Sequence, residues 1–410
     1  MDVRIYPSRL SGRTEGYAPK GAALRAMLAA SLSGGEVSLK FNNRSAEIFA
    51  AKEILSATFA EVTRNGSVYT VRPKSEFAEN ADISVGSGAA ALRFLLPPIT
   101  AAFKRVDLTG DNGAFRRVVK DLTESLKGVI LTGERLPAVL TGKLKGGIYD
   151  LGDEIQPTFI DGLIFALAMT ADGGELRLTE KAALSKHVAA CLKLLCECGG
   201  KAEINGSVVK TEGGIFDFGG AAETGKRFSF PKEFEIKGEE QSAAPFFAAK
   251  ALGGDITVEN LAEKEGGTDV YETLCRCIEG GTVSFKGMTA VAPFAAVCAA
   301  YGKVGTETVL TKAFAKGKDG EREKAFVSNV IKMGGKAETT EDGYKIIGTG
   351  GLVGGVYTDG FGDPRIAAAT AIAALNAKKP TVLLSAEAAN KEYPEFFNEL
   401  IRLGARIESL

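Results

Sequence analysis

The chain has 410 residues, 50 Lys+Arg against 51 Asp+Glu for a net charge of −1, and 45% hydrophobic residues. That balance excludes a polycation, an acidic tail and a disordered chain, and the length allows two or three domains at roughly 150 residues each. Glycine is abundant at 50 residues without a Gly-X-Y period, which excludes a collagen, and no uninterrupted apolar stretch is long enough for a membrane helix. The opening MDVRIYPSRL is charged and has no signal-peptide core, so a soluble cytoplasmic protein is expected.

In chain order, one pattern recurs six times: an Ala-rich apolar helix, a short Gly or Lys turn, then a β-branched strand. It occupies 22–39, 91–108, 159–178, 243–258, 293–310 and 365–384. Each copy is followed by a second helix, among them IFAAKEILSATFAEV, RRVVKDLTESLKG, DVYETLCRCIE and PEFFNELIRLG. The second helices place Leu, Ile, Val or Phe at i, i+3, i+4 and i+7, so they are amphipathic. The first helices are apolar nearly all round and are predicted to be buried.

Six units spaced roughly 50–80 residues apart, each with two helices and about four strands, are too long for a standard solenoid repeat. Three units per half give two similar lobes. The Gly- and charge-rich stretch 219–238 suits one crossing between lobes, and 13–21 suits the other. Residues 18–235 then form one lobe and 1–17 plus 236–410 the second, with the cleft between them as the expected site.

The scarce residues exclude several chemistries. His187 is the one histidine and has no Ser or Cys motif beside it, so it reads as a satisfied surface or core residue. The cysteines Cys191, Cys196, Cys198, Cys275, Cys277 and Cys298 form no Cys-x-x-Cys pair. No structural zinc is expected, and buried free thiols in a reducing compartment are the preferred reading.

Basic residues gather at helix entrances and Gly-rich turns. Lys20 precedes the first buried helix and Arg25 lies within it; Arg93 lies in the helix after Gly86–Gly88; Arg116 and Arg117 open another helix. Lys318, Asp319 and Arg322 precede a further helix, Asp363 and Arg365 precede the last buried one, and Lys391 follows. Helix N-termini favour anions and Arg forks bind phosphate or carboxylate. Arg25 and Arg93 sit in otherwise apolar helices, where an unpaired charge is costly to bury. The Gly86–Gly88 turn lacks the strand–GxGxxG–helix context of a dinucleotide site, and no aromatics interleave with the basic residues, so nucleic acid is not expected. The residues thus point to a two-lobed protein that binds a small polyanion, with Lys20, Lys318, Asp319, Glu321, Asp363 or Lys391 as acid–base groups.

Over essentially its whole length the chain resembles the 5-enolpyruvylshikimate-3-phosphate synthase (3-phosphoshikimate 1-carboxyvinyltransferase) family. The resemblance is carried by MDVRIYPSRLSG, the Lys20-x4-Arg25 spacing, RSAEIFAAKEIL, ALRFLLP, GDPRIAAA and KEYPEFFNEL in that order. It implies an α/β (α+β) fold of two lobes, each of three βαβαββ units, the inverse α/β barrel of enolpyruvyl transferases. It also implies transfer of the enolpyruvyl group of phosphoenolpyruvate to the 5-hydroxyl of shikimate 3-phosphate, with release of phosphate. No cofactor, metal, nucleic acid or membrane partner is implied, and a monomer is expected.

By the same resemblance, Lys20, Arg93, Arg117, Arg322, Arg365 and Lys391 bind phosphoenolpyruvate, Arg25 and Lys318 bind the shikimate phosphate, and Lys20, Asp319 and Lys391 are catalytic. The acceptor half departs from the family pattern. Gly21 stands where the family has Ser, Gln156-Pro157-Thr158 where it has Ser-Ser-Gln, and Ala290 where it has the catalytic Asp. Asp319 replaces a Glu, Pro364 a His, and Ala89 a Gly beside phosphoenolpyruvate. The alternative these departures raise is a repurposed or non-catalytic homologue that binds phosphoenolpyruvate or another small anion. The sister family acting on UDP-N-acetylglucosamine uses a loop Cys that TGDNGAFRR lacks.

Overall fold

Six helices are buried almost from end to end: Lys20–Ser31, Ala89–Ala102, Pro157–Met169, Ala244–Ala251, Ala292–Ala300 and Pro364–Asn376. Their Ala-rich faces let backbones approach closely, while the larger Leu, Ile and Phe side chains each contribute about 1.5–3 kcal/mol on full burial. The second helices, such as Lys186–Glu197 and Val270–Glu279, bury one stripe only, for example Val188, Cys191, Leu192 and Leu195. The computed structural model describes residues 1–118, 125–215, 228–263, 269–314 and 320–410. The predicted residues Lys318 and Asp319 lie outside these described residues.

The chain divides into two compact units, Pro19–Ile236 and Met1–Ala18 with Lys237–Leu410. Unit Pro19–Ile236 carries three four-stranded sheets built to one plan. In each, an edge strand runs parallel to its neighbour and a hairpin completes the sheet antiparallel. Asn80–Val85 runs parallel to Arg105–Gly110, which pairs antiparallel with Ala138–Gly142 and through it with Val129–Thr132. Gly147–Asp150, Gly174–Arg177, Val208–Thr211 and Ala202–Asn205 repeat the order. In the remaining sheet the edge strand is Glu233–Glu235, parallel to Val37–Lys40, so the end of the unit closes onto its beginning.

Unit Met1–Ala18 with Lys237–Leu410 has two four-stranded sheets with the same strand directions. One of them takes Val3–Ile5 as an inner strand between Thr381–Leu384 and Ile407–Ser409, which ties the chain start to this unit. The other runs Gly281–Ser284, Glu307–Thr311, Tyr344–Ile347 and Lys336–Thr339. The copy built on Ala244–Ala251 differs: among the described residues it has only the parallel pair Ser11–Glu15 and Asp255–Glu259. After its second helix, Val270–Glu279, one residue leads straight into Gly281–Ser284, the first strand of the next copy, leaving no length for a hairpin.

Two glycines set helix approach in unit Pro19–Ile236. A Cβ on Gly162 would collide with the Phe94 carbonyl oxygen, so helix Pro157–Met169 lies directly on the backbone of helix Ala89–Ala102. That carbonyl has no helical donor, because the residue four places on is Pro98. A Cβ on Gly88 would meet the Ala50 Cβ at 2.6 Å and Glu47 at about 3 Å, so helix Ala46–Ala57 packs onto the turn that starts the Arg93 helix. No helix among the described residues is long and apolar enough to cross a membrane.

Candidate active site

In unit Pro19–Ile236, Lys20 is the first residue of its helix, which follows Pro19 and has no side-chain cap. Lys20 and Gly21 are half-buried. Arg25, one turn further in, is 7% exposed, and its Nη1 donates to Asp161 Oδ2 at 2.7 Å. Asp161 comes from the first turns of helix Pro157–Met169 and is itself 2% exposed, with Oδ1 lacking any hydrogen-bond partner. Burial pushes its pKa up to about 6, against the opposing pull of Arg25. The Arg25 guanidinium also lies where a side chain on Gly21 would point, 3.3 Å from an ideal Cβ. The arginine expected at the acceptor phosphate is thus already paired with a carboxylate. The sequence carried a signal for this: Arg25 and Asp161 are each a charge inside an apolar helix, and opposite charges so placed require each other.

Helix Lys186–Glu197 packs on both partner helices and brings His187 and Cys191 to the same end. Partial desolvation, then the charge of Arg25, hold the His187 imidazole below its usual pKa, so it is neutral near pH 7. The Cys191 thiol is fully buried against the Asp161 carbonyl at 3.5 Å, and burial pushes its pKa well up. Cys198, Cys277 and Cys298 are likewise buried thiols, Cys275 is half-buried, and Cys196 departs from the buried expectation by being exposed.

Arg93 and Arg117 meet where the short helix Asn112–Arg116, which Arg117 ends, packs on helix Ala89–Ala102. Arg93 Nη2 donates to the Arg117 carbonyl at 2.5 Å, and Arg117 Nε donates to the Gly113 carbonyl at 3.0 Å. Arg93 is half-buried, whereas Arg116 and Arg117 are exposed. The N-terminus of this helix is capped by Glu47 Oε2, which accepts from the Ala91 N–H at 2.9 Å. Gln156 and Pro157 are exposed at the entrance of helix Pro157–Met169, with no hydroxyl at either position.

In the other unit, three predicted cations meet at the start of helix Pro364–Asn376. Asp363 caps that helix, its Oδ1 accepting from the N–H groups of Arg365 at 2.9 Å and Ile366 at 3.1 Å. Its Oδ2 takes Arg322 Nη1 at 2.9 Å. Arg365 Nε and Nη2 face both oxygens of Glu392 at 3.1–3.4 Å. Burial works against the Arg365 charge, and Glu392 more than offsets it, so the pKa is raised. Lys391 Nζ donates to the Gly362 carbonyl at 3.0 Å. The helix bearing Arg322, Glu321–Lys332, is anchored by buried Asn329, whose amide bonds the Asp359 carbonyl and Thr370 Oγ1. Beside Arg322, Glu323 is buried with Oε2 unpartnered, and burial, then Glu323 and Asp363, push the Tyr344 hydroxyl pKa up. Ala290 is half-buried in the turn ahead of helix Ala292–Ala300 and brings no carboxylate there.

Each unit thus gathers cations near helix starts, and Arg25, Arg322 and Arg365 each already meet a carboxylate of the chain. A groove of about 780 Å³ lies elsewhere, along Ile148, Glu175, Cys196, Glu203 and Lys210, and none of the predicted cations lines it. Its own lysines, Lys201 and Lys210, are outnumbered by Asp172, Glu175, Glu203 and Glu212, and Lys201 is paired with Glu212 at 3.0 Å, so it is not the candidate.

The chain is 26% identical over 436 residues to the 3-phosphoshikimate 1-carboxyvinyltransferase of Clostridium kluyveri, covering 99% of this chain and 98% of that one. It is 24% identical over 444 residues to that of Clostridium novyi, again covering 99% and 98%. The solved EPSP synthase from Acinetobacter baumannii superposes with a TM-score of 0.74 at 19% identity, over 100% of both chains. The enolpyruvyl transferase NikO from Streptomyces tendae gives 0.66 at 16% identity, covering 99% and 98%. These two likenesses speak for the two-lobed α/β enolpyruvyl transferase fold. The family model described as EPSP synthase (3-phosphoshikimate 1-carboxyvinyltransferase) matches residues 6–271 and 263–400, and the chain therefore belongs to that family.

Proposed function

We propose that the protein transfers the enolpyruvyl group of phosphoenolpyruvate to the 5-hydroxyl of shikimate 3-phosphate and releases inorganic phosphate. The observation that carries this reading is the set of retained cations: Lys20, Arg93, Arg117, Arg322, Arg365 and Lys391, in a chain that matches the family over residues 6–271 and 263–400. A trianionic ligand needs several cations, and the mutual repulsion of those cations is relieved when it binds. In this reading Arg365 and Arg322 take the carboxylate and phosphate of phosphoenolpyruvate, aided by Arg93 and Arg117.

Adding a hydroxyl across the enol double bond requires a proton on the methylene carbon and removal of one from the hydroxyl. Expulsion of phosphate then returns the double bond as the methyl carbon loses a proton. Lys20 and Lys391 are the proposed proton carriers and Asp319 the proposed partner on the acceptor side, with Lys318 and Arg25 holding its phosphate. The reading takes the protein to work as a soluble monomer without metal or organic cofactor. It is tested by phosphate release from phosphoenolpyruvate with and without shikimate 3-phosphate. Acceptor-dependent release is expected; binding of phosphoenolpyruvate with no release would favour the repurposed homologue.

A further inference from the structure

Arg365 presents two donors, Nε and Nη2, in one plane, and Glu392 occupies both, with distances of 3.1–3.4 Å to its two oxygens. A guanidinium edge of this kind seats one carboxylate. A ligand carboxylate reaching the same edge therefore has to displace Glu392. The neighbouring pair is built differently. Asp363 is 9% exposed and holds Arg322 while also capping helix Pro364–Asn376, so leaving its place would uncap the helix. Glu392 closes the short 3-10 turn Ala386–Lys391 through its backbone N–H alone, its side chain caps nothing, and that side chain is 28% exposed against 29% for Arg365. It can turn into water without opening the core.

We infer that Glu392 is an internal competitor for the carboxylate seat of Arg365, setting how tightly carboxylate-bearing ligands bind there. This rests on the reading that Arg365 receives the carboxylate of phosphoenolpyruvate. Glu392 directly follows Lys391, so the competitor and a proposed proton carrier share one turn. A partly exposed ion pair is worth about 1 kcal/mol, so removing the competitor strengthens carboxylate binding about fivefold.

Calorimetry on the full chain and on Glu392→Gln, with phosphoenolpyruvate, oxalate and inorganic phosphate as separate probes, tests this. Phosphoenolpyruvate and oxalate are expected to bind about fivefold tighter to the variant, with a smaller gain for inorganic phosphate, which has no carboxylate. In turnover, KM for phosphoenolpyruvate falls and kcat holds. Unchanged or weaker binding of both carboxylates to the variant overturns the inference. Tighter oxalate with no phosphoenolpyruvate binding in either protein upholds the competitor and rejects the phosphoenolpyruvate reading. Equal phosphoenolpyruvate affinity in both proteins does the reverse. Glu392→Ala serves if the Gln variant does not fold.

Discussion

Arg25 and Asp161 form a buried ion pair, 2.7 Å from Nη1 to Oδ2, between the first turns of two apolar helices. Neither charge could sit there alone, because burying an uncompensated ion costs several kcal/mol. The pair also leaves one carboxylate oxygen with no donor, which is an unusual expense for a folded core. Together with Asp363 on Arg322 and Glu392 on Arg365, it makes a pattern: three of the cations expected to hold anions are matched by carboxylates of the chain itself.

The pair makes stability depend on pH. The folded pKa of Asp161 is raised from 3.8 to about 6, with burial the first cause. A raised folded value means its contribution is fully present below the unfolded pKa and is lost as pH rises through about 6. Relative to Asp161→Asn, the parent protein should lose about 2–3 kcal/mol of unfolding free energy between pH 4 and 7. Urea titrations of both proteins across that range check this, and parallel pH profiles would contradict it.

Gly162→Ala should destabilise by about 1–3 kcal/mol, the usual cost of overpacking, since the added methyl meets the Phe94 carbonyl. Gly34→Ala is the control, with nothing within 4 Å of an added Cβ. Its effect should stay within about 0.5 kcal/mol. Denaturant midpoints for the two variants decide the matter, and an equal effect would show that the helices yield at Gly162.

Lys20→Ala and Arg322→Ala should each weaken phosphoenolpyruvate binding by about 10–100-fold, the loss of a charged hydrogen bond. Arg116→Ala, at an exposed neighbouring position, should change it little. Titration calorimetry reads all three, and normal affinity in the first two would remove those residues from the site.

Ala290→Asp should raise the rate of acceptor-dependent phosphate release, because a positioned general base contributes about 10²–10⁴-fold. Steady-state assays with shikimate 3-phosphate measure it. No change would mean that the acceptor hydroxyl lies away from this turn.

Much of the architecture was legible because it follows from local rules. Helices apolar on every side must be buried, and the six that read so are buried over most of their length. Repetition of helix, turn and β-branched strand likewise announced repeated sheets. What the pattern did not foretell was the copy at Ala244–Ala251, where the strand after the second helix belongs to the next sheet. Strand residues alternate in the same way whichever neighbour they pair with, so ownership of a strand is not written locally.

The candidate site divides the same way. Residue type and position at helix starts singled out Lys20, Arg25, Arg93, Arg322, Arg365 and Lys391, because a cation in an apolar or Gly-rich setting needs an anion. Which anion answers it depends on groups distant in the chain: Asp161 lies 136 residues from Arg25, and Glu392 lies 27 from Arg365. Amino-acid order alone determined that this protein carries cations demanding partners. Only the folded chain decided that three of them meet its own carboxylates, because electrostatic pairing acts over a few ångströms of space and takes no account of sequence separation.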